Sequence, residues 1–349
     1  MHVRKVLALA TLAVAALALG CGGATQPSPT AAATSPAATP TPNPWAAIPQ
    51  IVDPANHGWP RLVKSVTGPV ELKRKPERIL TLSLGHDELS LALVPPTRLV
   101  GTSEFATNHG ISNVVEKARG IPVMPRNAEA VIAARPDLVV VSPFSRKELI
   151  QQLTDAGIQV FQTQRPANPL YYESDLLLLA YLYGEEEKAQ GVLRAVRARR
   201  ERVDAVVAKK SPSERPSVLA LSGGNVTGGR GTTNDAIIEA AGGLNAAARA
   251  GIDGFKPLSL EIILQLDPDY ILTPGDDPAN PQVRSEILGH PALQGLRALK
   301  EPERRVLVVP NRYLSTLSFW NLRGIEELAR ALWPQDFAGA EFPDFAFQP

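Results

Sequence analysis

The sequence is poor in the side chains that hold metal ions directly. Its 349 residues contain a single cysteine, Cys21, and five histidines, which lie at positions 2, 57, 86, 109 and 290. One cysteine excludes an intrachain disulfide and a metal cluster built on several thiolates. Because the histidines are scattered, with no histidine-rich loop, we expect no direct zinc or manganese site.

Two further absences exclude broad classes of function. The formal net charge is only +1, and no basic block or basic–aromatic pattern occurs, so nucleic acid is not an expected partner. The sequence also lacks Gly-x-Ser-x-Gly, Gly-x4-Gly-Lys-Ser/Thr and His-Glu-x-x-His. The glycine-rich stretch at 223–231 does not have the spacing of a dinucleotide-binding loop. We therefore expect a protein that is not an enzyme and has no resident cofactor.

Long hydrophobic runs are missing except at the N-terminus. Residues 1–20 have a basic head and then an uncharged Ala/Leu-rich stretch that is short for a membrane span, which predicts a secretion signal. The small residue before Cys21 resembles a bacterial lipobox, although Ala18 stands where that pattern prefers a larger aliphatic residue. The resemblance implies a lipid anchor on Cys21. The alternative is a secreted protein with a stray cysteine.

Residues 21–58 are predicted to form the lipid anchor and a tether. Residues 22–50 are rich in Ala, Thr, Ser and Pro and contain no charged side chain. Their prolines favour extended polyproline II, and they offer little apolar surface to bury. This composition is typical of a flexible connection to a folded body, and an O-glycosylated stalk would share it.

The folded body contains an internal repeat. Residues 129–142 read EAVIAARPDLVVVS, residues 261–274 read EIILQLDPDYILTP, and the two align without a gap. Pro136 and Pro268 cannot continue a helix, so a helix is predicted to end before each of them. The short aliphatic run that follows fits a strand covered on both faces, as in a parallel sheet. The repeat therefore indicates two similar α/β lobes with a cleft between them.

The chain between the two copies predicts one long helix. Residues 184–210 have apolar side chains at helical spacing, acids at the start and lysines at the end. A solvated face accounts for its five arginines better than a nucleic-acid surface does, because acids interrupt them. We expect a stiff strut in a connecting region at 171–212, between lobes at 59–170 and 213–337, with a tail at 338–349.

The body resembles the helical-backbone class of substrate-binding proteins of ABC importers, which serve iron–siderophore complexes, vitamin B12 and haem. The likeness rests on the order and spacing of PERILTLSLGHDELSLAL (76–93), RLVGTS (98–103), NAEAVIAARPDLVVV (127–141), GEEEKA (184–189), GGLNAAA (242–248) and SLEIILQLDPDYIL (259–272). It implies a monomer of two α/β lobes with mostly parallel sheets, joined by a backbone helix. It also implies that Glu129 and Glu261 dock onto arginine pockets of the permease subunits. The alternative for both is an ordinary acid in the first turn of a helix, where the helix dipole favours a carboxylate.

Ligand contacts are expected where the predicted strands end, because ligands of open α/β sheets collect at the carboxyl ends of strands. The loops there concentrate arginines, which grip anionic oxygens, and aromatic rings, which cover flat apolar faces. The predicted contact residues are His86, Phe105, Phe144, Arg146, Arg165, Arg230, Arg312, Tyr313 and Trp320. His86, His109 and Tyr313 are also candidate ligands for iron or cobalt, and a solvated helix start is the alternative for His86.

These expectations lead to one function. We expect a lipid-anchored, extracytoplasmic protein that captures a metal chelate and delivers it to an ABC permease with a cytoplasmic ATPase. A ferric siderophore ranks first because of the loop arginines, vitamin B12 (cobalamin) second and haem third. A surface sensor or adhesion lipoprotein on the same fold is the remaining alternative.

Overall fold

Two parallel β-sheets organise the chain, one before and one after a pair of helices. The structure is a computed structural model and describes residues 43–164, 170, 172–275 and 282–347. The secretion signal, Cys21 and Arg165 therefore lie outside the described residues.

The first lobe is built on a five-stranded parallel sheet in the order β5-β4-β3-β6-β7. An antiparallel hairpin of β1 (Arg61–Ser65) and β2 (Gly68–Leu72) precedes it. The strands of the sheet are β3 (Ile79–Thr81), β4 (Leu99–Ser103), β5 (Val123–Met124), β6 (Leu138–Val141) and β7 (Val160–Gln162). The helices are α1 (Leu84–Leu93), α2 (Val115–Ala118), α3 (Ala128–Ala133) and α4 (Lys147–Asp155).

The second lobe is built on a four-stranded parallel sheet in the order β10-β8-β12-β13. Its strands are β8 (Ser217–Ala220), β10 (Leu244–Asn245), β12 (Tyr270–Gly275) and β13 (Val306–Pro310), and β9 (Val226–Gly228) pairs with β11 (Phe255–Pro257) beside them. The helices are α7 (Thr233–Ala240), α8 (Ala246–Arg249), α9 (Leu260–Leu266), α10 (Val283–Gly289), α11 (Pro302–Arg305), α12 (Asn311–Leu314) and α13 (Asn321–Leu332).

The two sheets place equivalent segments in equivalent positions. In the first lobe β3 lies between β4 and β6, and β7 follows β6; in the second lobe β8 lies between β10 and β12, and β13 follows β12. The aliphatic runs of the sequence repeat are β6 and β12, which pair in parallel with the first strand of their own sheet. The predicted fold class, two similar α/β lobes with mostly parallel sheets, is confirmed.

The helix of each repeat begins and ends in the same way. Asn127 and Ser259 cap α3 and α9, since each side chain accepts a hydrogen bond from the backbone amide three residues later, at 2.9 and 3.4 Å. Arg135 and Asp267, which precede the matching prolines, have φ values of 49° and 36°. Proline disfavours the right-handed helical conformation for the residue before it, so the same break recurs in both lobes.

The aspartate of each Pro-Asp pair ties the repeat to the start of the sheet. Asp137 accepts hydrogen bonds from the backbone amides of Glu77 and Arg78, at 2.9 and 3.0 Å, just before β3. Asp269 accepts one from the amide of Ser217, the first residue of β8, at 2.9 Å. The recurrence of proline and aspartate thus has a structural cause in both copies.

Two helices connect the lobes. The Leu-rich α5 (Tyr172–Tyr183) is buried almost throughout, and α6 (Glu186–Val207) has 22 residues, which corresponds to a rod of about 33 Å. On α6 the guanidinium of Arg199 forms a bidentate pair with Glu326, which is fully buried in α13. The predicted strut is therefore fixed to the second lobe. Within the described ranges, no helix has the length and apolar character needed to cross a membrane.

The N-terminal end of the described chain packs into the core. The Trp45 ring is 2% exposed, and its Nε1 donates a hydrogen bond to the carbonyl oxygen of Leu177 on α5 at 3.2 Å. Ile48 and Ile51 are buried beside it. Residues 43–58, which the sequence placed in the tether, therefore belong to the folded body.

The C-terminal end packs into the same core. Phe345 is buried against the rings of Phe319 and Trp320, with 5.3 Å between ring centroids in both pairs. Asp344 accepts hydrogen bonds from the Tyr313 hydroxyl at 2.5 Å and from Nε of Arg323 at 3.1 Å. The stretch that the sequence described as a tail is thus held in place up to residue 347.

Candidate ligand-binding cleft

A cleft opens at the carboxyl ends of the first-lobe strands, where a ligand is expected in this architecture. Its volume is about 290 Å³, and about 1010 Å³ when the open solvent at its mouth is included. The described residues that line it are Ser83, Leu84, Gly85, His86, Phe105, Ile111, Ser142, Pro143, Phe144, Thr163, Gln164, Tyr172, Asp175, Ser315, Thr316 and Leu317. Because 315–317 belong to the second lobe and Tyr172 to α5, the cleft lies between the lobes, as predicted.

The described lining of the cleft, which stops at Gln164 and resumes at Tyr172, is apolar and polar but almost uncharged. Phe105, Phe144 and Tyr172 supply aromatic surface, and serine, threonine and glutamine side chains supply neutral donors and acceptors. Within the described lining there is no arginine or lysine. The cleft is therefore suited to a large ligand that is mostly neutral, with flat apolar faces and a polar periphery.

Asp175 is the acidic residue of the described lining. It lies in the first turn of α5, in the sequence YESDLLLLAYLY. Burial raises the pKa of its carboxyl group to about 6, and no hydrogen bond or nearby charge is among the causes. A desolvated carboxylate in a ligand cleft is a candidate acceptor of hydrogen bonds from donor groups of the ligand.

His86 opens α1 but does not offer a free ring nitrogen to the cleft. Its Nδ1 lies 2.8 Å from the Ser83 hydroxyl and its Nε2 lies 3.2 Å from the Thr163 hydroxyl. The residue is 5% exposed, and burial lowers its pKa to about 4, so the ring is neutral at physiological pH. The described residues also contain no group of three or more His, Cys, Asp or Glu side chains arranged to hold a metal ion.

A buried carboxylate beneath the cleft binds the two lobes together. Glu88 on α1 is fully buried and accepts hydrogen bonds from the backbone and side-chain nitrogens of Asn113, at 3.0 and 2.8 Å. Its other oxygen accepts from the hydroxyls of Thr316 and Ser318 in the second lobe. Burial raises the pKa of Glu88, and these four donors oppose that shift. The loop at 315–317 is therefore held against the first lobe.

Two arginines stand at the margin of the cleft. Arg126 and Arg146 line an adjoining space that shares Ser83, Ser142 and Phe144 with the cleft. The guanidinium of Arg126 lies over the Phe105 ring, 4.8 Å from its centroid, and Arg146 donates to the carbonyl oxygen of Arg126 at 3.1 Å. Of the predicted contacts in the first lobe, His86, Phe105 and Phe144 line the cleft and Arg146 lies beside it, whereas Arg165 is not described.

The predicted contacts of the second lobe lie elsewhere. Arg230 is paired with Asp253 at 3.3 Å, away from the described lining. Arg312 lies over the ring of Tyr313, 4.7 Å from its centroid. Tyr313 and Trp320 are 3% and 6% exposed. Loop position cannot distinguish core aromatics from ligand contacts, and these two rings pack in the core.

The second lobe contributes a smaller space of about 580 Å³, open solvent included, at the ends of β8 and β12. It is lined by Asn234, Phe255 and Asn311 among others, and it shares Ser315 with the main cleft. Phe255 is 61% exposed. The described residues that line this space are thus neutral and include one aromatic ring.

The sequence did not predict the cleft residues that lie outside the loops at the ends of the predicted strands. Tyr172 and Asp175 lie on α5, which follows no strand directly, and the strand-end rule does not reach them. The signal for Asp175 was an acid directly before the Leu-rich run of α5, because such a helix is buried and a charge beside that run needs an explanation. Thr163 and Thr316 could be predicted only as members of loops, because nothing in the local sequence distinguishes them from their neighbours.

The two predicted docking residues lie on the outside of their lobes. Glu129 and Glu261 are exposed in the first turns of α3 and α9. Hydrogen bonds from Ser259 and from its own backbone amide lower the pKa of Glu261. Neither glutamate lines the cleft.

Comparison with known proteins agrees with this architecture. A model of the periplasmic binding protein family matches residues 79–313. A cobalamin-binding protein of Halobacterium salinarum is 31% identical over 206 residues, which are 58% of this chain and 55% of that protein, so the chain spans little more than half of this relative. An ABC transporter substrate-binding lipoprotein of Bacillus subtilis is 25% identical over 274 residues, covering 77% of this chain and 83% of that protein.

A solved structure shows the same fold. The apo form of a periplasmic haem-binding protein from Roseiflexus sp. RS-1 matches with a TM-score of 0.64 and 25% identity, covering 74% of this chain and 99% of that one. The family match spans both parallel sheets and the two helices between them, from β3 to the start of α12. The chain belongs to the periplasmic binding protein family.

Proposed function

We propose that this protein is the substrate-binding component of an ABC importer and that its cargo is a corrinoid of the cobalamin class. A corrinoid is a large ring with apolar faces, a periphery of amide groups and a cobalt ion that its own ligands already occupy. The observation that carries the proposal is the described lining of the cleft, which is nearly uncharged and contains one desolvated carboxylate, Asp175. Such a carboxylate and the neighbouring hydroxyl groups can accept hydrogen bonds from the amide N–H groups of the ring periphery.

The same lining is less suited to the other two chelates predicted from the sequence. An anionic ferric siderophore calls for cations that face the ligand, and none is among the described lining residues. Haem calls for an axial ligand, but both ring nitrogens of His86 have partners, and burial raises the pKa of the Tyr172 phenol, which disfavours the phenolate. The cobalamin-binding relative supports the corrinoid independently.

Calorimetric titration with four cargoes tests this proposal. We expect cyanocobalamin to bind with one-to-one stoichiometry and a dissociation constant at or below the micromolar range, and to bind at least tenfold more tightly than haem, a ferric hydroxamate or a ferric catecholate. Bound cobalamin should keep the visible spectrum of free cobalamin, because both ring nitrogens of His86, the histidine of the described lining, already have partners. Tighter binding of a ferric siderophore or haem would overturn the corrinoid assignment.

Delivery to the permease is proposed to use Glu129 and Glu261. Only Glu, Pro and Asp are identical at matching positions of the two 14-residue copies. Proline ends each helix and aspartate ties each repeat to its sheet, but no equivalent packing role accounts for the exposed glutamates. An exposed ion pair contributes only about 0–1 kcal/mol, which suits a contact that must form and release in every cycle.

Membrane attachment is proposed to depend on Cys21, and the lipoprotein among the relatives supports this. Replacing Cys21 by serine removes the atom that carries the lipid, so the variant should appear in the medium or the soluble periplasmic fraction. Cell fractionation and intact-mass measurement of the wild type provide the check. If the wild type carries no lipid and Cys21→Ser leaves the protein with the membrane, another means of attachment is present.

A further inference from the structure

Each exposed glutamate of the repeat has an exposed aliphatic neighbour. Ile132 lies three residues after Glu129 on α3, and Leu264 lies three residues after Glu261 on α9. The two aliphatic side chains are 39% and 40% exposed. Residues three apart on a helix are surface neighbours, so each lobe presents a carboxylate and an aliphatic side chain side by side.

The buried side of each helix is also conserved between the two copies. Val131 and Ile263, the residues just before Ile132 and Leu264, occupy matching positions and are fully buried. Each helix therefore packs on its lobe through one aliphatic side chain and exposes the next, and α9 exposes Ile262 as well, where α3 has Ala130. Single exposed aliphatic residues are common, but two at equivalent positions of diverged copies, each beside the glutamate, point to a shared partner.

We propose that Ile132 and Leu264 are contact residues for the permease, each inserting into an apolar surface that borders the basic group bound by the neighbouring glutamate. This inference rests on the proposed docking role of the glutamates. In the first lobe the partner has a concave surface to enter, because Glu129 and Ile132 line a shallow depression between α3 and α4 together with Gln152. The partner is a membrane subunit whose outer face carries a cation flanked by aliphatic or aromatic side chains.

The two kinds of side chain would act on different steps of docking. The carboxylates attract the partner over a distance and fix its orientation, so they act on the association rate. The aliphatic contacts form only in the complex and exclude water around the ion pair, so they act on the dissociation rate. A contact surface that combines carboxylates with aliphatic side chains can hold the complex long enough to transfer the cargo without lowering the association rate.

Binding kinetics to the purified importer in nanodiscs test the inference. The double variant Ile132→Ala, Leu264→Ala should dissociate about tenfold faster than the wild type, with an unchanged association rate and an unchanged salt dependence of that rate. Cobalamin affinity and melting temperature should stay at the wild-type values, since both side chains lie outside the cleft and the core. The control is Val66→Ala, Val308→Ala, which removes one exposed aliphatic side chain from each lobe, 56% and 51% exposed, outside the repeat.

The outcomes separate this inference from the docking proposal. If glutamate reversal weakens binding but the Ile132/Leu264 variant dissociates at the rate of the control, the aliphatic contact is refuted and the glutamate docking stands. If glutamate reversal leaves binding unchanged, docking by this face is refuted altogether. Faster dissociation of the Ile132/Leu264 variant alone, at constant salt dependence, supports the inference.

Discussion

Reversing the charge of Glu129 and Glu261 together is expected to abolish uptake of the cargo and the cargo-dependent stimulation of ATP hydrolysis. Each arginine would face a cation of the permease, so attraction at two distant points becomes repulsion, which costs several kcal/mol when like charges meet in an interface. Each single variant should be intermediate. Uptake of radiolabelled cyanocobalamin in cells and ATPase assays with the reconstituted importer provide the measurement.

The fold and the cleft should be unaffected by this change. Both glutamates are exposed, and loss of an acid from a first helical turn costs about 0.3–1 kcal/mol. The control is Glu116→Arg with Glu286→Arg, which reverses one first-turn acid in each lobe outside the repeat. Normal transport by the Glu129/Glu261 variant would refute the docking role, and loss of cobalamin binding would show that these residues serve the cleft or the fold.

The second large effect is expected at Asp175, where replacement by asparagine should stabilise the protein and weaken ligand binding. Burial raises the pKa of this carboxyl from 3.8 to about 6, so ionisation is less favourable in the folded state than in the unfolded state. Below about pH 3 the group is protonated in both states and costs nothing. As the pH rises to about 6 the wild type loses about 3 kcal/mol, at 1.36 kcal/mol per pKa unit.

The Asp175→Asn variant avoids this loss, so its advantage in unfolding free energy should be absent at about pH 3, grow between the two pKa values and be complete at about pH 7. At neutral pH its melting temperature should be higher by roughly 5 °C or more. Cobalamin affinity should fall about tenfold, because a neutral amide oxygen is a weaker acceptor than a carboxylate. Thermal unfolding across this pH range and calorimetry measure the two effects.

An exposed aspartate serves as the control for this prediction. Asp155→Asn on α4, where the carboxylate contacts only Gln151 at 2.7 Å, should change the unfolding free energy by less than about 0.5 kcal/mol. If Asp175→Asn has equal stability to the wild type at pH 7, a compensating charge lies near the carboxylate. If cobalamin affinity is unchanged, Asp175 makes no contact with the cargo.

Much of the fold followed from local sequence rules because those rules concern the backbone. Pro136 and Pro268 end helices wherever they occur, and the aliphatic runs after them have the length of buried strands. Because this unit occurs twice, the sequence also predicted two similar lobes. The packed ends could not be predicted in this way, since Trp45 lies in a stretch whose composition is that of a tether and is buried only through the distant α5.

The cleft was predictable as a set of loops but not as a set of side chains. Strand ends identified the segments that contain His86 and Phe144. Whether a ring faces ligand or core depends on contacts far away in sequence, such as the bond between Tyr313 and Asp344. The protonation and partners of His86 likewise depend on Thr163, 77 residues away.

The burial of both ends in one core has a consequence for how the chain reaches its native state. Trp45 packs on this core from the N-terminal side of the two lobes, and Phe345 and Asp344 pack on it from the C-terminal side. The core is therefore complete only after segments about 300 residues apart in sequence have met. Contacts of such long sequence separation are slow to form, because closing a long loop costs conformational entropy before the contact stabilises the chain.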